Sequence, residues 1–317
     1  MKITFLNVGH GDCTVIEHAS GRLTVVDVNN CSEIDEETLA EVSQYYRATS
    51  AQMMLAEALG IRSYEMVKEA GYDVDLTNPI EFITKNYPGK DIFRYIQTHP
   101  HLDHMSGIEQ LKANNIDIVN FWDTEHNFTP ELTNDADRAS WDEYTRLRGS
   151  TESPKVLRLY RGEAGAYWNQ NPKGVAGGDG IEILHPNPDT HEAIKESENV
   201  NNLSYVLRVT LGTVKIILAG DVEKDVWDDL VKTFGDTLKC DVLKASHHGR
   251  DSGFHENAMT LMKPTYTIVS VGKKPETDAS DKYRKHSKNV WSTRWKGNIA
   301  IAFNAAGKGT ITAQYDR

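Results

Sequence analysis

Apolar and polar residues alternate from the start of the chain. In KITFLNV (2–8), CTVIE (13–17) and RLTVVDV (22–28) the β-branched runs are separated by Gly-containing turns, which predicts an opening β-meander built from hairpins. From about residue 32 to 71 the period changes. Leu39, Val42 and Tyr46, then Met54, Leu55 and Leu59, recur at helical spacing in a segment rich in Ala, Glu, Leu and Met. This predicts a helical, acidic insertion at about 32–80 whose Met and Tyr residues serve packing. IFRYIQT (92–98) reads again as a strand and leads through HPHLDHMSG into a helical IEQLKANN. Such strand–loop–helix junctions are where α/β folds place ligands.

After a polar, aromatic stretch (FWDTEHNF, 121–128) comes the Gly-rich GVAGGDG (174–180). It lacks the Gly-Lys-Ser/Thr ending of a P-loop and reads as a flexible loop. The second half then repeats the style of the first, with strands IEILHP, YVLRVTL and TVKIILAGD, a helix EKDVWDDLVKTFG, and strands CDVLKASHHG, TYTIVSVG, NIAIAF and GTITAQY. Two strand-rich halves, each with helices, predict a single domain over 1–317, an α/β fold arranged as a four-layer αββα sandwich.

Composition narrows the class. With 317 residues, 39% hydrophobic and 26% charged, the chain can bury a sizeable core. Its longest apolar runs fall far short of the ~20 residues that span a bilayer, so no membrane association is expected. The opening MKITFLNVGHGD has neither a separate apolar segment nor a cleavage site, so no secretory signal is expected. Cys13, Cys31 and Cys240 are odd in number and widely spaced, which fits a reducing cytoplasm rather than a disulfide framework. The formal charge is −11, a poor basis for wrapping long duplex DNA. Between Lys263 and Lys296, however, nine Lys/Arg stand against three acids. Lys273, Lys274, Arg284 and Lys285 in this stretch are candidates for meeting an anionic substrate.

The candidate chemistry begins with His99, His101, Asp103 and His104, four potential ligands within six residues. In an extended segment His99 and His101 point the same way and can share one metal, while the following turn lets Asp103 and His104 face a neighbouring one. Asp221 ends the apolar run IILAGD, as a cap for the next helix or as a metal bridge. His247 and His248 follow VLKAS and precede Gly249, where imidazoles protrude from a sheet edge.

Taken in order, these segments resemble the metallo-β-lactamase superfamily. Within it they resemble the branch typified by the hydrolase domain of ComEC-type DNA-uptake proteins and by phosphorylcholine esterases. NVGHGD (7–12) looks like that branch's NVGQGD, with His10 in place of Gln and Cys13 where Ser is usual; TVVDVN looks like its strand ending in Asp27. HPHLDH, LAGD and SHHG fit the HxHxDH, Asp and last His motifs. The strand that often carries another metal-binding His reads NVNNLSYVLRV, with Asn202 and Ser204 instead.

The resemblance implies a dinuclear centre. One ion would take His99, His101 and Asp221, and the other Asp103, His104, Asp221 and His248. His247 would face the substrate beside Asp103 as the catalytic pair, with Asp27 behind the ligands orienting them. His185 and His126 are alternatives for the absent ligand, though a structural role suits both. Two divalent ions are expected, Zn²⁺ first and Mn²⁺ next, with a metal-bridging hydroxide as nucleophile. The resemblance further implies a phosphodiesterase or nuclease acting on an anionic phosphoester, such as a short or single-stranded nucleic acid. The competing expectations are a lactonase or β-lactamase-type carboxylic hydrolase and a metal-binding scaffold without turnover.

Overall fold

The computed structural model describes every residue except 32, 33, 48–50, 52–57, 59–62, 70, 72, 172 and 198. Fourteen strands are found among the described residues: β1 (Lys2–Phe5), β2 (Thr14–Glu17), β3 (Leu23–Val26), β4 (Ile92–Ile96), β5 (Ile118–Trp122), β6 (Lys155–Leu157), β7 (Ile181–His185), β8 (Val206–Leu211), β9 (Val214–Leu218), β10 (Val242–Lys244), β11 (Tyr266–Val269), β12 (Asn289–Ser292), β13 (Ile299–Phe303) and β14 (Gly309–Ala313). They form an eight-stranded sheet in the order β14-β13-β1-β2-β3-β4-β5-β6 and a six-stranded sheet in the order β12-β11-β10-β9-β8-β7.

Side-chain alternation assembles the layers. Leu23 and Val25 of the first sheet point outward to join Ile80, Ile83, Leu111, Tyr144 and Leu147 from helices on that face. Ile3, Phe5, Ile16, Val26, Ile96 and Trp122 point inward and meet Ile183, Leu207, Val209, Ile216, Leu218 and Ile268 of the second sheet. Ile217 and Leu243 point the other way, into a third cluster with Val226, Trp227, Leu230, Met259 and Met262 from the outer helices. Three apolar layers between four structural layers are the αββα sandwich expected from the sequence, and period two in the strands produces it.

The parallel strands position the site. β3 pairs with β4 in parallel, with Val26 opposite Ile96. In the other sheet Leu218 of β9 lies opposite Lys244 of β10, which lies opposite Ile268 of β11. The segments leaving the carboxyl ends of β3, β4, β9 and β10 carry Asp27, the HPHLDH run, Asp221 and the His247–His248 pair respectively. Ligands gather at such strand ends in α/β sheets.

Within the expected insertion, helices cover Glu36–Arg47 and Ser63–Glu69. Val42, Val67 and Val74 make a small cluster with Leu39, Tyr46 and Trp295; Met54, Leu55 and Leu59 lie outside the described residues. The next helix, Pro79–Asn86, is capped by Asn78 and buries Ile80 and Ile83 in the main core.

Several elements were not expected, among them β5, β6, β12, the helix Glu256–Met262 and the helix Asp135–Arg148. That helix is mostly polar and buries only Ser140, Tyr144 and Leu147, so its apolar stripe is too thin to stand out. The Gly-rich loop also differs from expectation at its end. Asp179 is buried and accepts hydrogen bonds from Arg22 and Ser20, which anchors a stretch read as flexible.

Candidate metal centre

Three turns carry the cluster. After β4, His101 precedes a single 3₁₀ turn, Leu102–His104, which is tied to the NVGHGD segment by Asp12 N–H donating to Asp103 O at 3.2 Å. Gly11 allows this approach, because a Cβ there would lie 2.4 Å from Asp103 O. After β9, Asp221 N–H donates to Ser204 Oγ at 3.0 Å. The helix that follows has Glu223, not Asp221, at its N-cap position, so Asp221 is no cap. After β10, His247 and His248 adopt φ 50° and 53°, and Gly249 follows at φ 77°. Two non-glycine residues in the left-handed region cost on the order of 1–3 kcal/mol each, and this run turns one imidazole inward and the other outward.

The inward groups converge on Asp221. Its Oδ2 lies 3.3 Å from His248 Nε2, 3.4 Å from His104 Nε2 and 3.9 Å from His99 Nε2. Asp103 Oδ2 lies 3.2 Å from His248 Nε2, and His99 Nε2 lies 3.0 Å from His101 Nδ1. His99, His104, Asp221 and His248 are buried. Yet His104 Nε2, His248 Nε2 and Asp221 Oδ1 have no hydrogen-bond partner. Buried polar atoms are normally satisfied, so orphaned nitrogens and carboxylate oxygens aimed at one point fit a cation.

The charges agree. Burial opposes protonation of His248, but the carboxylates of Asp221, Asp103 and Asp12 push its pKa up to about 10. His104 is likewise raised against its burial, by Asp221, Asp27 and Asp103. Asp221 is held well below the carboxylate range, with His248 and His104 overcoming its desolvation. A metal would exchange with these protons. His99 goes the other way, pushed down by burial and by His104, so it presents a neutral imidazole.

The opposite ring nitrogens are held in place, as metal-ligating imidazoles require. Asp27 Oδ2 is 2.7 Å from His104 Nδ1, and the same carboxylate accepts from Thr98 N–H at 2.8 Å and Thr98 Oγ–H at 2.7 Å. His248 Nδ1 is 3.1 Å from Ser270 O, and His99 Nδ1 is 3.1 Å from Thr98 Oγ.

His247 faces outward, its Nδ1 2.8 Å from Ser252 Oγ and 3.2 Å from Glu223 Oε1. The alternative ligands are engaged elsewhere: His185 Nε2 with Asn202 O at 2.9 Å, His126 Nε2 with Tyr144 Oη at 2.6 Å. Of the basic candidates, Lys273 meets Glu37, Lys274 meets Asp278 and Arg284 meets Asp281. Lys285 lines a surface groove with Lys224, Lys282 and His255. Three of the four thus have a carboxylate neighbour at the surface. Lys273 and Lys274 nevertheless follow Gly272, whose backbone abuts His10 closely enough that a Cβ would lie 2.6 Å from His10 N.

Four residues at the site were given no role from the sequence: His10, Asp12, Lys244 and Arg250. Asp12, His104, Asp221 and His248 place one ligand atom each within 4.8 Å of one another, and so do His10, Asp103 and His248. Asp12 also accepts from Lys244 Nζ at 2.7 Å, both side chains being buried. Arg250 follows directly on SHHG. A lysine inside the otherwise apolar strand VLK was the available signal, since a buried ammonium needs a carboxylate.

Two facing sheets with outer helices, and a His–Asp cluster at their strand ends, make this a metallo-β-lactamase fold. Its sequence relatives are competence proteins of the ComEC type. The chain is 31% identical over 122 residues to ComE operon protein 3 of Bacillus subtilis (strain 168), covering 37% of this chain and 16% of that protein. It is 27% identical over 141 residues to Competence protein ComA of Neisseria gonorrhoeae, covering 43% of this chain and 19% of that one. The matches thus span less than a fifth of the relatives' own length. Among solved structures, the metallo-β-lactamase fold protein YhfI from Bacillus subtilis aligns over 98% of this chain and 100% of its own, with a TM-score of 0.44 and 10% identity. No protein-family model matches the chain. Among the described residues no helix is long and apolar enough to cross a membrane.

Proposed function

We propose that the chain is a dinuclear metal-dependent hydrolase of phosphodiesters, acting on a small diester or a short, single-stranded nucleic acid. The observation that carries this reading is the convergence of His99, His104 and His248 Nε2 on Asp221 Oδ2, with buried ligand atoms left unpartnered. Asp221 would bridge two ions, with His99 and His101 on one side and Asp103, His104 and His248 on the other. Zn²⁺ suits this all-N/O set best, with Mn²⁺ next. Such a pair, when bound, activates water near neutral pH and stabilises charge on the attacked group.

The protein's own groups do the rest. Asp27, Thr98 and the Ser270 carbonyl fix the ring orientations of His104, His99 and His248. Glu223 and Ser252 hold His247 by Nδ1, which leaves Nε2 to meet the substrate's developing oxyanion. Lys273 and Lys274, on the loop beside His10, would extend the contact to a longer polyanion.

The phosphodiester assignment draws support from the motifs shared with the ComEC-like branch and from relatives named for competence. Its test is turnover of bis-p-nitrophenyl phosphate, single-stranded DNA, duplex DNA, RNA and a lactone, each with Zn²⁺ and with Mn²⁺. Diester cleavage with little lactone opening supports the reading, and preferential lactone opening overturns it. Replacing Lys273 and Lys274 with Glu should raise KM for an oligonucleotide and flatten its salt dependence while sparing bis-p-nitrophenyl phosphate.

A further inference from the structure

We propose that Arg250, flanked by His10 and His247, is an anion clamp at the mouth of the metal centre that binds a non-bridging phosphoryl oxygen of the substrate. This deepens the hydrolase reading and rests on it for the location of the reacting group.

The backbone puts Arg250 there. The left-handed run through His247, His248 and Gly249 folds the chain back, so that Arg250 N–H donates to His247 O at 2.9 Å. Arg250 itself is extended, with φ −68° and ψ 159°, and pairs with Asp278 through the backbone. Its side chain therefore leaves from a fixed point two residues after His248.

Its side chain lacks the carboxylate partner that several other buried or half-buried arginines have. Arg94 pairs with Asp179, Arg148 with Asp123, Arg161 with Asp229 and Arg294 with Glu41. Arg250 has no carboxylate partner among the described residues, although the chain carries 46 acids, and its Nε is buried without a hydrogen bond. A guanidinium taken partly out of water without a counter-charge is unfavourable, and an anion arriving from outside would complete it.

The surroundings indicate which anion. His10 packs against His248 with ring centroids 4.7 Å apart, and its Nδ1 is buried and unpartnered. His247, whose backbone carbonyl accepts from Arg250 N–H, is the other neighbouring imidazole. Arg250 is close enough to help lower the pKa of both imidazoles, burial being the larger cause in each. Arg250 and these two imidazoles together offer N–H donors suited to the oxygens of a phosphoryl group, which the planar fork of arginine matches.

The experiment is calorimetric titration of inorganic phosphate into the metal-loaded protein, comparing wild type with Arg250→Met and Arg250→Lys. Metal content is measured on each sample, together with KM for bis-p-nitrophenyl phosphate and for the neutral p-nitrophenyl acetate. Arg250→Met should retain its metal and weaken phosphate binding roughly 10- to 100-fold, the worth of a charge-assisted hydrogen bond. Arg250→Lys should lose less. KM should rise for the diester and not for the acetate. Unchanged phosphate affinity in Arg250→Met with metal retained, or no phosphate binding to the wild type, overturns the clamp. Arg250→Gln replaces the Met variant if circular dichroism shows the latter unfolded. If phosphate responds as expected but no diester is turned over, the clamp stands and the phosphodiesterase reading falls.

Discussion

Asp27 and His104 are bonded 2.7 Å apart, carboxylate to Nδ1, and this contact fixes which ring nitrogen of His104 faces the cluster. Asp27 holds φ 56° to make it, a conformation disfavoured for a residue with a side chain. Asp27→Ala should weaken affinity for the ion bound by His104 roughly 10- to 100-fold, as loss of a carboxylate behind a ligating histidine does. Competition with a chromogenic chelator would measure it. Unchanged affinity would make Asp27 purely structural.

The two adjacent histidines should separate cleanly. His248 is buried beside Asp221 and Asp103, whereas His247 is held by Ser252 and Glu223 at the rim. His248→Ala should lose metal, while His247→Ala should keep it and reduce kcat on the order of 10²-fold, the loss of a donor to developing charge. Elemental analysis beside steady-state kinetics distinguishes them, and the opposite pattern would exchange their roles.

Asp12 and Lys244 form a buried ion pair at 2.7 Å. Lys244→Met should destabilise the metal-free protein by about 3–5 kcal/mol, because it strands a buried carboxylate. The double variant Asp12→Asn, Lys244→Met should recover much of that loss. Urea denaturation of wild type, Asp12→Asn, Lys244→Met and the double variant is the check, and additive losses in the double variant would deny the coupling.

Acid sensitivity should come from histidines away from the metals. Burial is the main cause that lowers His18 and His185 to about 4 from 6.5. As pH falls below 6.5 the unfolded chain takes up protons that the folded chain refuses until about 4. Their contribution is thus present above pH 6.5 and lost between 6.5 and about 4. His18→Gln should show a shallower loss of stability over this window. An identical slope would assign the sensitivity elsewhere.

Much of this centre was legible because its ligands are local in sequence. HPHLDH, LAGD and SHHG each end an apolar strand, and period two fixes which side chains leave the same face. Partners brought together by the fold were not legible in that way. Asp12 and Lys244 are 232 positions apart, and Arg250 shows its exposed need only once every nearby acid has been placed. Asp135–Arg148 was missed for a different reason, a polar surface covering a three-residue buried stripe.

The most direct test of the account is metal stoichiometry, measured by elemental analysis on wild type and Asp221→Ala after loading with Zn²⁺ and removal of excess ion. Asp221 Oδ2 lies within 3.9 Å of three imidazole nitrogens. Close to two ions per wild-type chain are therefore expected, with most of both lost, along with diester hydrolysis, in Asp221→Ala. A wild-type chain that binds no ion, or an Asp221→Ala chain that keeps wild-type metal and turnover, would contradict it.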